Sequence, residues 1–127
     1  MSVCVSQGIR VSVEARYLSD ESEPEKSKYL FAYEITVVNE GSAPAQLVAR
    51  HWIIKDAYNG VDEVRGEGVV GQTPLLEPGQ SFCYSSYCPL RTEYGTMRGT
   101  YRMVRPSGEE FDAVVAPFAL MASYLLN

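Results

Sequence analysis

The sequence predicts an all-β fold, a sandwich of about seven short antiparallel strands. Three observations carry that expectation. Apolar and polar residues alternate with period two along most of the chain. Turn-forming residues separate the alternating stretches, and no stretch shows the periodicity of a long amphipathic helix.

The first strand is read from Ile9, where Ile9, Val11, Val13, Ala15 and Tyr17 oppose Arg10, Ser12, Glu14 and Arg16. "DESEPEKSK" then has no apolar residue and contains Pro24, so it reads as a polar loop. "YLFAYEITVVNEG" is rich in aromatic and β-branched residues and puts Tyr29, Phe31, Tyr33, Ile35 and Val37 on one face. "AQLVARHWIIKDA" is the next strand. Asn59-Gly60 closes it into a hairpin because both residues accept positive φ, and "VDEVRGEG" returns. "SFCYSSYCPL", "GTMRGTYRMVR" and "EFDAVVAPFAL" complete the set. Strands of this number and length predict two packed sheets of the fibronectin type III or immunoglobulin-like kind. With no internal repeat and no linker, residues 1–127 read as a single domain whose core covers about 8–120.

Composition narrows the functional classes. At 46% hydrophobic and 21% charged, the chain carries enough apolar surface for a core without covalent staples. A net charge of −5 with scattered Lys and Arg argues against nucleic acid and against an anionic membrane surface. "MSVCVSQGIRVSVEAR" lacks the apolar core of a signal peptide, and "AVVAPFALMASYLLN" is too short and broken to span a bilayer. The expectation is a cytoplasmic protein without membrane insertion. Cys4, Cys83 and Cys88 are odd in number, and the last two fall on opposite faces of one strand, so free and mostly buried thiols are expected.

The sharpest motif is "GEGVVG", whose Gly66, Gly68 and Gly71 have the spacing of dinucleotide-binding loops. Such loops need a strand before and a helix after. "VDEVR" supplies the strand, but Pro74 and Pro78 forbid the helix whose N-terminus would hold the phosphate. Two readings stay open. The glycines shape a strand end, or successive backbone N–H groups form an anion nest, with Arg65 adding charge.

Other candidates are thinner. His51, the single histidine, has no acidic neighbour in sequence, and Asp56 falls on the opposite strand face. The cysteines and His51 do not make a transition-metal set, so no metal ligands and no cofactor are assigned. Asp20, Glu21, Glu23 and Glu25 form an acidic loop that reads as solvated, with loose divalent-ion binding as its alternative use. Scattered serines beside one histidine are no catalytic constellation, so no catalytic residue is assigned. Nine tyrosines and the free edges of a sandwich favour protein contacts. The apolar tail Phe118, Leu120, Met121, Tyr124, Leu125 and Leu126 either packs back on the domain or joins a contact surface.

The stretches "RHWIIKDAYNG" (50–60), "EVRGEGVVGQTPLLEPGQSFCYSS" (63–86), "GTMRGTYRMV" (95–104) and "FDAVVAPFAL" (111–120) resemble the ApaG family over nearly the whole chain. "DAYNG" departs from the family form by one extra residue before its glycine. The resemblance implies a fibronectin type III-like sandwich and a stand-alone bacterial protein whose biochemical role the family does not define. It implies a link to cobalt resistance and magnesium efflux, acting through a partner since tight cobalt ligands are lacking here. It also implies kinship with protein-binding domains of F-box proteins and of a polymerase-delta-interacting protein. Carried onto Gly66, Gly68 and Gly71, it brings a nucleotide or pyrophosphate proposal. The expectation is a non-enzymatic module that binds an unidentified protein, itself a monomer or weak homodimer.

Overall fold

The computed structural model describes residues 1–126, the side chain of Leu126 excepted. Its strands are β1 (Ser2–Ser6), β2 (Ile9–Tyr17), β3 (Tyr29–Asn39), β4 (Ala45–Asp56), β5 (Val61–Glu67), β6 (Leu75–Leu76), β7 (Ser81–Leu90), β8 (Tyr94–Val104) and β9 (Glu110–Met121). One sheet has the order β1-β2-β3-β7 and the other β5-β4-β8-β9, with β6 pairing β4 beyond β5. All the pairings are antiparallel. The predicted two-sheet sandwich is therefore what forms, with nine strands among the described residues in place of about seven.

The two additional strands have local causes. β1 folds onto β2 through Gln7 (φ 47°) and Gly8 (φ 84°), a two-residue turn with positive φ at both positions. Gln-Gly is a quieter turn signal than Asn-Gly, and Val3 and Val5 face solvent, so the sequence alone does not mark this hairpin. β6 is two residues long, below the length at which alternation can be read. The polar loop between β2 and β3 holds two short 3-10 turns, Ser19–Glu21 and Pro24–Lys26.

The alternating residues bury as the period demands. Ile9, Val11, Val13, Phe31, Ile35 and Val37 face the other sheet and are essentially inaccessible. Ala15 is the exception on β2 and is exposed. Trp52 is the hub of the interior, with its ring 5.8 Å from Tyr33, 5.8 Å from Tyr101 and 6.2 Å from Phe118. Burying side chains of this size stabilises the fold by about 1.5–3 kcal/mol each. Two polar devices lie among them. Tyr84 and Tyr101 join their hydroxyls 2.5 Å apart in the core. Asn39, fully buried, donates Nδ2 to Ala43 O and Leu76 O and accepts Gly41 N–H at Oδ1, which ties β6 to the end of β3.

The lateral sides of the sandwich differ. On one side β1 and β2 pack against β9, and Val114 N donates to Ser6 Oγ at 3.0 Å. Arg105 reinforces that end. Its guanidinium lies 4.6 Å from the Phe111 ring and donates to the carbonyls of Gln7, Ala43 and Pro44. On the other side β5 and β7 stand apart and a cleft opens between the sheets. Phe118 and Leu120 of the tail are buried in β9, Met121 ends the strand, and the Tyr124 ring packs edge-on against Tyr17. So the tail packs back as far as Met121, while Tyr124 and Leu125 stay 48% and 40% exposed and the Leu126 side chain lies outside the described residues.

Candidate functional site

The glycine run begins in β5 and leaves it for a turn. Gly66 stands opposite Arg50 of β4. Gly68 has φ +57°, and a Cβ there would fall 2.2 Å from Gln72 O. Val70 (φ 43°) and Gly71 (φ 78°) form the tip of a tight reversal in which Val69 and Gln72 exchange both backbone hydrogen bonds. β6 follows, so the chain after Gly71 is extended, as Pro74 and Pro78 require, and no phosphate-binding helix is present among the described residues.

Arg50 is the side chain that sequence reasoning missed. Its Nη1 donates to Glu67 O at 2.8 Å and Gly68 O at 3.0 Å, and the guanidinium occupies the space where a Gly66 side chain would be. Gly66 therefore makes room for an arginine that fastens the turn. The turn's amides are mostly engaged: Gly68 N donates to Val48 O, Val69 N to Gln72 O and Gln72 N to Val69 O. Only the tip amides of Val70 and Gly71 have no backbone acceptor among the described residues.

The four candidates Arg65, Gly66, Gly68 and Gly71 do not converge on one hollow. Arg65 and Gly66 line a shallow groove of 510 Å³ on the outer face of the β5-β4-β8-β9 sheet, together with His51, Thr100 and Arg102. Gly68 and Gly71 belong to the turn beyond it. Of the arginines in that groove, Arg65 and Arg102 are already answered by acids and Arg50 by carbonyls. Arg65 lies 3.2 Å from Glu63, and Arg102 lies 3.0 Å from Asp112 and 3.4 Å from Glu110. The Arg65 hydrogen bond first, and then the approach of His51, hold the Glu63 carboxyl below its usual range.

His51 does have an acidic neighbour, though not in sequence. Its Nε2 lies 3.4 Å from Glu63 Oε2, across the β4–β5 pairing. Asp56, on the other face of β4, caps the Asn59-Gly60 hairpin: Oδ1 accepts Tyr58 N–H and Gly60 N–H, and Oδ2 meets Arg91 Nε at 2.7 Å. Arg91 is the main reason its carboxyl titrates below the usual range. In the acidic loop, Glu23 pairs with Lys26 at 3.7 Å, and no group of three or more potential metal ligands occurs among the described residues. The thiols differ from one another. Cys88 is buried, Cys4 is half-buried and Cys83 is exposed, which corrects the expectation that most would be buried. Cys83 and Cys88 do face opposite sides of β7, and burial pushes the Cys88 thiol up to about 11.

The open side of the sandwich is the other candidate surface. Its cleft, 460 Å³, has Tyr33, Trp52, Ile54 and Met97 as its apolar floor. Asp62 and Val64 of β5 form one wall, and Ser86 and Cys88 of β7 the other. Tyr87 stands at the rim, 64% exposed. Nothing in the sequence marks this cleft, because its walls are strands joined only through the fold.

A family model described as the ApaG domain matches residues 19–105. The chain is 54% identical to Protein ApaG of Anaeromyxobacter dehalogenans (strain 2CP-C) over 127 residues, 100% of both. It is 54% identical to Protein ApaG of Azotobacter vinelandii over 112 residues, 88% of this chain and 89% of that one. Among solved structures, an ApaA protein from Bordetella pertussis superimposes with a TM-score of 0.89 at 50% identity, covering 91% of this chain and 94% of that one. The C-terminal domain of wzt reaches a TM-score of 0.57 at 9% identity, a likeness of fold alone. No helix among the described residues is long and apolar enough to cross a membrane.

Proposed function

Since the chain belongs to the ApaG-domain family, we propose that it is a non-enzymatic binding module of the cytoplasm that recognises another protein. The observation that carries this reading is the open side of the sandwich, where Val64 and Tyr87, 40% and 64% exposed, flank a cleft that runs down to the core residues Tyr33 and Trp52. Surfaces of this kind, apolar at the centre and polar at the rim, are where proteins dock. Cobalt resistance and magnesium efflux fit the reading as indirect effects that pass through the partner. Affinity capture from native lysate with mass spectrometry tests it, comparing the native chain with Tyr87→Arg and Val64→Asp. A partner retained by the native chain and lost from both variants supports the reading. Absence of any reproducible partner overturns it.

A second reading rests on the free amides of Val70 and Gly71 and on the exposed Arg65 nearby: a nucleotide or pyrophosphate site at Gly66–Gly71, with the acidic loop as an alternative site for a divalent ion. Calorimetry with nucleotides, with and without magnesium, decides it, and no saturable heat sinks it.

A further inference from the structure

The two strands that flank the cleft expose very different edges. Asn39 exchanges backbone bonds with Gln80 and Gly79 across the start of β7. By alternation, Val37, Ile35, Tyr33 and Phe31 bond Phe82, Tyr84, Ser86 and Cys88. The backbone N–H and C=O groups of Ser81, Cys83, Ser85 and Tyr87 therefore point to the free edge. Pro89 shares that parity, so its missing N–H falls where no ladder partner loses a bond. On β5 the same argument starts from Gly60 and Gly68, which bond Asp56 and Val48, and leaves Val61, Glu63, Arg65 and Glu67 on the free edge.

Charged side chains are what keep an edge strand from pairing with another chain. β5 carries three at its free-edge positions. β7 carries none from Ser81 to Leu90, and its only blunting residue is Pro89 at the far end. An unguarded edge beside an unfilled cleft is the geometry of strand addition, in which main-chain bonds give affinity and alternate side chains give specificity.

We propose that the free edge of β7 accepts an extended segment of a partner protein, and that this segment places an apolar residue and, two positions away, a Lys or Arg in the cleft. This rests on the protein-binding reading and names its mode. A strand bonded to Cys83, Ser85 and Tyr87 turns every second side chain inward. In the middle of the cleft that side chain meets Val64, Ile54 and Trp52. At one end it meets Asp62, which makes no ion pair among the described residues. At the other end Arg50 is already committed to the carbonyls of Glu67 and Gly68. Charge disfavours a second copy of the chain as the occupant. Pairing β7 with β7 would bring two β5 strands together, each with Asp62, Glu63 and Glu67 against one Arg65, in a protein of net charge −5.

The test is to pan a random-peptide display library against the full-length chain and measure the enriched peptides by fluorescence anisotropy. The expected peptides alternate, with an apolar residue and a Lys or Arg two apart. Ser85→Pro removes a free-edge N–H without touching the β3 ladder and weakens binding by about tenfold or more, as does N-methylation of the peptide's alternate amides. Because the methylated peptide leaves the protein unaltered, a folding defect in Ser85→Pro does not blur the result. Asp62→Lys shifts the preference from Lys or Arg to Glu or Asp. Peptides insensitive to Ser85→Pro and to N-methylation overturn strand addition while leaving the protein-binding reading intact, and so does a failure to enrich any peptide when lysate capture still returns a partner. Failure of both overturns the two together.

Discussion

Replacing the three glycines of the turn by alanine, one at a time, separates a structural turn from an anion nest. At Gly68 the new Cβ falls 2.2 Å from Gln72 O, with φ +57°. Holding alanine in the left-handed region costs about 1–2 kcal/mol. Relieving the clash pulls apart the Val69–Gln72 pair, whose two backbone bonds measure 2.8 and 2.9 Å. Each is worth about 0.5–1.5 kcal/mol, so Gly68→Ala should cost about 2–5 kcal/mol. Gly71→Ala meets nothing within 4 Å and bears only the φ +78° penalty, about 1–2 kcal/mol. Gly66→Ala pushes on the Arg50 guanidinium, 2.8–2.9 Å away, and loses the bonds to Glu67 O and Gly68 O, about 1–3 kcal/mol. Urea denaturation and thermal melts of the three variants measure this. For a chain of this size about 3–5 °C accompanies each kcal/mol, so Gly68→Ala should melt roughly 6–25 °C below the native chain. Finding Gly68→Ala no more damaging than Gly71→Ala would refute the reasoning.

Three other outcomes follow from the same contacts. Tyr84→Phe or Tyr101→Phe alone strands a buried hydroxyl and costs about 1–3 kcal/mol, whereas the double variant is close to neutral; a double-mutant cycle in urea measures the coupling. With an aromatic disulfide reagent at mildly alkaline pH, Cys83 reacts first, and Cys88, pushed up to about 11 and buried, waits for unfolding. Asp56→Asn removes the ion pair to Arg91. The folded pKa of Asp56 lies below its unfolded one, so the stability it adds is present above the unfolded value, about 3.9, and disappears as pH falls through the folded value. The native chain should therefore outlast Asp56→Asn at pH 7, and the two should converge in strong acid, measured by melts across that range.

The fold was legible wherever its cause is local. Period-two burial located most of the strands, Asn59-Gly60 located a hairpin although only Asn59 takes positive φ there, and Pro74 with Pro78 ruled out a helix after Gly71. What escaped depends on register. Arg50 reaches carbonyls 17 and 18 residues away because β5 folds back beside it. His51 meets Glu63 by the same pairing, twelve positions along the chain. The bare edge of β7 could be recognised only after β3 was known to be its single neighbour, since the same ten residues in a central strand would expose no backbone at all.

Arg105 carries a kinetic consequence. Its contacts with Gln7 O, Ala43 O and Pro44 O span 98, 62 and 61 residues of sequence, so they form only when most of the chain is already in place. Closing loops that long is what slows β-rich folding. The β1–β2 hairpin, although it precedes the other strands along the chain, is thus expected to be among the last units secured. Removing the Arg105 guanidinium should leave the folding rate nearly unchanged and speed unfolding.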